Sequence, residues 1–204
     1  METPTNLDDH WISLLSGATF NYNKPEESDV TLHDIASALS NVCRYSGHLP
    51  RFYSVAQHLV NTSYIVSPKN AFTALMHDTA EAFTNDLPTP LKWAFPVFKD
   101  LEVKIESAMS KKFGFEYPYP SEVKEADSIM LMLEKYHVKE CDQYWDFYSD
   151  KYTREYVQPY YDKVDLTSWR PSVARNKFLT RYQELTSDRT SVLRSETKER
   201  ATAA

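Results

Sequence analysis

The sequence predicts an all-α fold built as a single domain. Apolar residues recur at helical spacing along most of the chain, and capping residues and prolines punctuate those runs. No segment alternates apolar and polar residues at the period of a half-buried strand. A chain of 204 residues, 42% hydrophobic and 14% aromatic, can bury a core large enough to fold without disulfides or a structural metal.

Up to about Asn23 the chain is mixed, with Trp11, Ile12, Leu14 and Leu15 as packing residues, and Pro25 to Asp29 reads as a polar turn. Thr31 is placed to cap a helix, with Asp34 in the first turn and Ile35, Leu39 and Val42 on one face; Gly47 and Pro50 end it. A second helix is predicted from about Phe52 to Val66, closed by Ser67-Pro68. A third covers Ala71 to Thr84. It stops before Asp86-Leu87-Pro88-Thr89-Pro90, a rigid loop in which two prolines restrict the backbone. Phe98 to Phe113 is amphipathic, with Leu101, Ile105, Ala108 and Met109 inward and Lys99, Glu102, Lys111 and Lys112 outward. Ser121 to Val138 forms a further helix. Between Lys139 and Trp169 aromatic and charged residues crowd together without a clear period, which predicts short helices and loops packed on the main body. Pro171 to Leu185 is the last helix. The domain is placed at residues 1–185, and the polar tail of residues 186–204 is expected to be disordered.

Composition excludes several classes of function. Only 3 glycines are present, with no GxGxxG and no GxxxxGKS or GxxxxGKT, which argues against a glycine-rich phosphate loop. Cys43 and Cys141 cannot build a disulfide framework or a cysteine zinc site, and they fit a reducing cytoplasm. The start of the chain lacks a basic segment followed by an apolar core, so no signal peptide is expected. No apolar run approaches the roughly 18 residues of a membrane span. A net charge of −6 disfavours stable binding to nucleic acid or a membrane surface, since both are polyanions. The tyrosine-rich stretch from Tyr144 to Tyr161 lacks a basic stripe, so packing or subunit contact accounts for it better than base stacking.

Chemistry concentrates in three helical stretches. His58 lies in Ser54-Val-Ala-Gln-His58, His77 and Asp78 in Leu75-Met76-His77-Asp78-Thr79-Ala80-Glu81, and Asp127 in Val123-Lys124-Glu125-Ala126-Asp127. Each places a polar group among apolar neighbours. Two imidazoles and two carboxylates offer neutral nitrogen and anionic oxygen, which suits Mn²⁺, Co²⁺, Fe²⁺, Zn²⁺ or Ni²⁺ better than Ca²⁺ or Cu(I). His77 and Glu81, four apart, share one helix face, whereas Asp78 is turned about 100° from His77. The pair can straddle an ion only if other helices bring up His58 and Asp127. Buried carboxylates in this number would be costly without a cation.

The chain resembles the HD-domain phosphohydrolases, whose metal ligands follow the order His, His-Asp, Asp; these positions fall on His58, His77, Asp78 and Asp127. It is most similar to their 5′-deoxynucleotidase branch and to the phage dATP triphosphohydrolases, which share the same blocks. Those blocks are Cys43-Arg44-Tyr45-Ser46-Gly47-His48, Phe52-Tyr53-Ser54-Val-Ala-Gln-His58, Met76-His77-Asp78-Thr-Ala-Glu81, Asn85-Asp86-Leu-Pro-Thr-Pro90-Leu-Lys92 and Val123-Lys124-Glu-Ala-Asp127. They lie in a motif core of residues 31–138; the chain on either side matches nothing in that pattern. The resemblance implies a helical bundle with extra C-terminal helices and one divalent transition metal per subunit (Co, Mn or Zn). It also implies a homo-oligomer in the cytoplasm, or in the host cytoplasm if phage-encoded.

Residue roles follow from the same resemblance. Glu81 is similar to the family's general acid/base and Asp86 to the residue that orients the attacking water. Arg44 resembles the phosphate-clamping arginine, a role that suits a planar fork of donors. Tyr45 and Pro90 occupy family positions that face the nucleoside; Lys92 and Lys124 are candidates for outer phosphates only because each lies near a motif residue. Many relatives carry tryptophan after the arginine; Tyr45 keeps a stacking surface. The implied reaction is attack of water on the α-phosphorus of a 2′-deoxynucleotide, with deoxyadenosine nucleotides favoured. Deoxynucleoside leaves with triphosphate or with phosphate. The alternatives are a phosphodiesterase of a cyclic or oligonucleotide messenger, for which His48 would be an additional ligand, and a non-catalytic nucleotide-binding domain.

Overall fold

The helix that follows Thr31 shows how local chemistry sets the frame. In the computed structural model, which describes residues 10–140 and 150–202, α1 spans Leu32–Asn41. Thr31 Oγ1 accepts from the Asp34 N–H at 3.2 Å, and Asp34 Oδ2 accepts from the Thr31 N–H at 2.9 Å, which completes a capping box. Asp34 Oδ1 also accepts from the Ser16 N–H at 2.8 Å. The helix stops well short of Gly47. Residues after Asn41 are drawn into an extended pairing in which Val55 N–H donates to Val42 O and Arg44 N–H to Tyr53 O. A sheet-like bond thus replaces the next helical turn.

α2 (Val55–Ile65) starts at Ser54, whose side chain accepts from the Gln57 N–H. It is buried on every side from Val55 to Ser63 and touches α1, α3 (Ala71–Met76), α7 (Ser121–His137) and α9 (Pro171–Thr202). A helix so enclosed must satisfy its own polar side chains. Gln57 donates to Asp165 O and Thr167 O and accepts from the Trp169 N–H, while Asn61 exchanges bonds with the Asp165 backbone. These contacts fasten the chain between α8 (Arg154–Val157) and α9 onto the bundle. Ile35, Leu39, Leu59, Leu75, Met109 and Phe178 are fully buried where the helices meet.

Several expectations are corrected. The helix predicted over Ala71 to Thr84 is two, α3 and α4 (Glu81–Thr84), because backbone bonds from Thr79 to Phe83 tighten to a three-residue spacing. The loop around Pro88 contains a helix, α5 (Thr89–Ala94), where Pro90 presets the helical φ in the first turn. α6 (Pro96–Phe113) buries Ile105, Ala108 and Met109 as expected and ends at Gly114, whose φ of 74° gives a left-handed cap. Glu102, expected outward, is buried instead because Lys92 of α5 packs beside it at 2.8 Å.

Two three-residue strands, β1 (Trp11–Ser13) and β2 (Thr19–Asn21), form a hairpin that was not expected. They are too short to show alternation, yet they place Phe20 on Phe83 with ring centroids 3.8 Å apart. α9 runs on to Thr202, past Leu185 and through the stretch expected to be disordered, since neither glycine nor proline interrupts residues 172–202. Cys141 and the Tyr144 end of the aromatic stretch lie outside the described residues. Among the described residues no helix is long and apolar enough to cross a membrane.

Burial pushes the Asp34 carboxyl up, but hydrogen bonds from Thr31 and Ser16 outweigh it and hold the group below the usual carboxylate range. A folded value below the unfolded one stabilises at neutral pH and loses that contribution as pH falls through the folded value. Thr31→Ala should therefore lower unfolding free energy by about 1 kcal/mol at pH 7, measured in urea. Asp34→Asn should flatten the acid limb of the stability profile. A Thr31→Ala midpoint equal to that of the parent would show that the cap contributes nothing.

Candidate metal centre

Four side chains from three segments of the chain converge beside α2. His58 comes from the middle of α2, His77 and Asp78 from the turn after α3, and Asp127 from the second turn of α7. Their ligand atoms all lie within 4.8 Å of one another. His58 Nε2 is 3.2 Å from Asp127 Oδ1 and 3.8 Å from Asp78 Oδ2, and His77 Nε2 is 3.4 Å from Asp78 Oδ2. The four residues expected as ligands are thus brought together.

The second nitrogen of each imidazole fixes which atom faces the cluster. His77 Nδ1 lies 2.8 Å from Ala74 O, and a carbonyl only accepts, so Nδ1 carries the hydrogen. Tyr119 donates to His77 O and steadies the same turn. His58 Nδ1 lies 2.7 Å from Glu134 Oε1. Both Nε2 atoms are left to point at the carboxylates. That of His77 is buried and has no hydrogen-bond partner, an expensive state for a polar atom that a metal ion would relieve.

The electrostatics lean the same way. Burial and the Arg44 charge push the His58 imidazole down, but Glu134 and Asp127 overcome them and hold it up at about 9. Burial likewise depresses His77, and Asp78 and Asp127 raise it. Burial pushes Asp127 up, yet the two imidazoles hold it well below the usual range. The cluster draws positive charge, and its two nitrogens and two oxygens suit a divalent transition ion.

A cavity of about 480 Å³ opens on this cluster, within the roughly 300–1,000 Å³ typical of small-molecule sites. Of the residues expected to serve the site, Arg44, Tyr45, Glu81, Asp86, Pro90 and Lys92 line it together with Asp78 and Asp127. Ser46, His48 and Thr89 are also on its wall. Lys124 is not: it is exposed on α7 and outside the lining, because its place on the helix turns it to solvent. Lys92 reaches the cavity already engaged, 2.8 Å from Glu102 and 3.9 Å from Glu81.

Glu81 sits one turn after His77, buried, with Oε2 lacking a partner. Burial, reinforced by Asp78 and Asp86, pushes its carboxyl well above the usual range, while Arg44 and Lys92 pull it back. Such a group holds a proton that an ordinary glutamic acid would have lost. Asp86 follows Asn85, whose φ of 63° turns the chain sharply, and its Oδ2 lies 3.4 Å from Arg44 Nη1. Arg44 is buried, and its Nε donates to Glu134 Oε2 at 3.2 Å. Tyr45, Ser46 and Gly47 then take left-handed φ values of 55°, 50° and 81°. The two side-chain-bearing residues each store about 1 kcal/mol or more of strain, and the Tyr45 hydroxyl pins the loop by donating to Leu131 O at 2.8 Å.

Two contributors escaped the sequence. Glu134 is fully buried, seven residues and two turns beyond Asp127 on the same face of α7. An acid flanked by Met130, Leu133 and other buried residues was the available signal. Lys139 lines the cavity and donates to His48 O at 2.8 Å, and nothing in its surroundings marks it. A second cavity of about 490 Å³ lies between α2 and α9, but it gathers no metal-ligating cluster among the described residues.

No protein-family model matches the chain. It is similar to the uncharacterized protein YfdR of Escherichia coli K12, 46% identical over 125 residues that span 61% of this chain and 70% of that protein. The chain belongs to the YfdR family. An uncharacterized protein of Rhodobacter capsulatus is 28% identical over 138 residues, again 61% of this chain and 70% of the other.

Asp78→Asn should abolish tight binding of Mn²⁺, Co²⁺ or Zn²⁺, read by metal content after dialysis and by chelator competition. A variant that keeps one equivalent of ion would remove Asp78 from the centre.

Proposed function

We propose that this protein is a metal-dependent phosphohydrolase of the HD type that acts on 2′-deoxynucleotides, deoxyadenosine nucleotides foremost. The observation that carries the reading is the convergence of two imidazoles and two carboxylates around a buried, unpartnered His77 Nε2, beside a buried arginine and a proton-holding glutamic acid. A divalent ion held by His58, His77, Asp78 and Asp127 would neutralise phosphate oxygens and acidify water. The remaining chemistry belongs to the chain itself.

Arg44, fixed through Nε by Glu134, offers its guanidinium to the phosphate from the cavity wall. Asp86, on the cavity wall beside Arg44, would accept a hydrogen bond from the attacking water. As water bonds to the α-phosphorus, the bond to O5′ of the deoxynucleoside breaks, and that oxygen needs a proton. Glu81, whose carboxyl is pushed well above the usual range by burial, would be the group to deliver it. Water and a deoxynucleoside triphosphate thereby give deoxynucleoside and triphosphate; a monophosphate gives deoxynucleoside and phosphate. Tyr45, next to Arg44 and half-buried, offers the base or sugar an aromatic face. A homo-oligomer in the cytoplasm, or in the host cytoplasm if phage-encoded, belongs to the same proposal.

Incubation with dAMP and with dATP in the presence of Mn²⁺, Co²⁺ or Zn²⁺ should yield deoxyadenosine, identified by ion-exchange chromatography. Triphosphate as the second product marks a triphosphohydrolase, and phosphate from dAMP alone marks a 5′-deoxynucleotidase. No deoxynucleoside from any deoxynucleotide with any of these ions would refute the proposal. Glu81→Ala should keep its metal and lose at least about 10²-fold in turnover. Near-normal turnover in that variant would take Glu81 out of the mechanism.

A further inference from the structure

α7 sends Asp127 to the metal cluster and, two turns later, sends Glu134 into the space between α2 and the Arg44 loop. Glu134 is fully buried, and its two oxygens go to different places. Oε1 lies 2.7 Å from His58 Nδ1, and Oε2 accepts from Arg44 Nε at 3.2 Å. One neighbour is a ligand of the candidate metal centre, and the other is the arginine on the cavity wall.

We propose that Glu134 is a positioning residue that couples the metal centre to the anion clamp, setting the tautomer of His58 and the orientation of Arg44 with one carboxylate. The inference rests on the phosphohydrolase reading of the site for its anion half; the metal half stands on geometry alone. A carboxylate has only acceptor sites to offer, and both of its neighbours require an acceptor. Glutamine has one acceptor and one donor. If its oxygen turned to Arg44, its NH₂ would face His58 Nδ1 and move the imidazole hydrogen to Nε2, the atom aimed at Asp78 and Asp127. If its oxygen turned to His58, the NH₂ would oppose the Arg44 Nε–H and release the guanidinium. No rotamer serves both. Aspartate, one methylene shorter, cannot span the two partners.

The test has three readouts: Mn²⁺ affinity by chelator competition, KM and kcat with the deoxynucleotide that the parent hydrolyses, and the His58 Nδ1–H signal in ¹⁵N-resolved NMR of the Zn²⁺-loaded protein. Glu134→Gln should bind Mn²⁺ about 10- to 100-fold more weakly, lose or shift the His58 signal, and still unfold cooperatively. Adding Arg44→Met frees the glutamine oxygen for His58. The double variant should therefore regain most of the Mn²⁺ affinity while KM stays high, a rescue that a merely structural role for Glu134 would not produce.

Mn²⁺ affinity in Glu134→Gln within about two-fold of the parent would overturn the proposal, since outer contacts to metal-binding histidines ordinarily matter more than that. So would a double variant as weak as the single one. If Glu134→Gln fails to fold, the double variant, which removes the Arg44 and Glu134 charges together, decides alone. Near-parental Mn²⁺ affinity supports the coupling, and a loss equal to that of His58→Ala overturns it. A parent protein that binds Mn²⁺ but hydrolyses no nucleotide would end the phosphohydrolase reading, and the tautomer control would still be read from affinity and NMR.

Discussion

Removing ionisable side chains from water costs several kcal/mol per ion unless each finds a partner, and Arg44, Glu134 and His58 are buried together where α2 meets α7 and the Arg44 loop. None of the three is tolerable there alone. Glu134 joins an imidazole on one side to a guanidinium on the other, and Arg44 passes the chain of charge on to Asp86 at 3.4 Å. Burial pushes the Glu134 carboxyl up, but Arg44 and His58 hold it below the usual range, so it stays ionised and accepts from both. The placement of α7 against α2 is therefore an electrostatic constraint as much as an apolar one. It is also the constraint that carries Asp127 to within reach of His58.

The turn between α3 and α4 does not by itself aim His77 and Asp78 at one point. Adjacent residues differ by about 100° in an α-helix and by about 120° where the bonds tighten to three-residue spacing after Met76. The two side chains meet, Nε2 3.4 Å from Oδ2, because α2 and α7 bring His58 and Asp127 up to the space between them. Packing explains why the chain accepts the interruption. α3 is buried along its whole length, and Phe83 of α4 is held by stacking on Phe20 and by the Tyr22 hydroxyl on its carbonyl. The two-stranded hairpin, remote from the chemistry in sequence, thus braces the element that carries Glu81.

What could be read in the sequence divides along the same physical line. The capping box at Thr31 and Asp34, the α6 face with Ile105 and Met109, and the four ligand candidates rest on local spacing, and local spacing survives folding. The hairpin did not show because three residues per strand hold no alternation to detect. The break after Met76 did not show because apolar residues on both sides keep a helical period through it. Lys92 and Glu102 look like independent surface charges until α5 docks on α6 and pairs them at 2.8 Å. Glu134 is the instructive case. Glu134 follows the apolar run from Ile129 to Leu133, yet with Lys135 after it near a helix end it also resembles ordinary solvated charge, and its partners His58 and Arg44 come from elsewhere in the chain.

The loop after Arg44 shows how that buried charge is turned outward to a cavity. Three consecutive left-handed residues reverse the chain immediately after the guanidinium leaves the core, an arrangement that costs conformational energy at Tyr45 and Ser46. The compensation comes from both flanks. Arg44 N–H donates to Tyr53 O at 2.9 Å, and the Tyr45 hydroxyl reaches across to Leu131 O on α7. The same helix thereby holds the arginine from behind through Glu134 and the tyrosine in front through Leu131. On the proposed function Arg44 would meet an anion, and a charge fixed in this way needs no reorganisation when the ligand's charge shifts. Strain in the loop, ionisation of Glu134 and exposure of Arg44 to the cavity are on this view one arrangement. It explains why a segment of so few residues departs from regular structure at the edge of an otherwise helical fold.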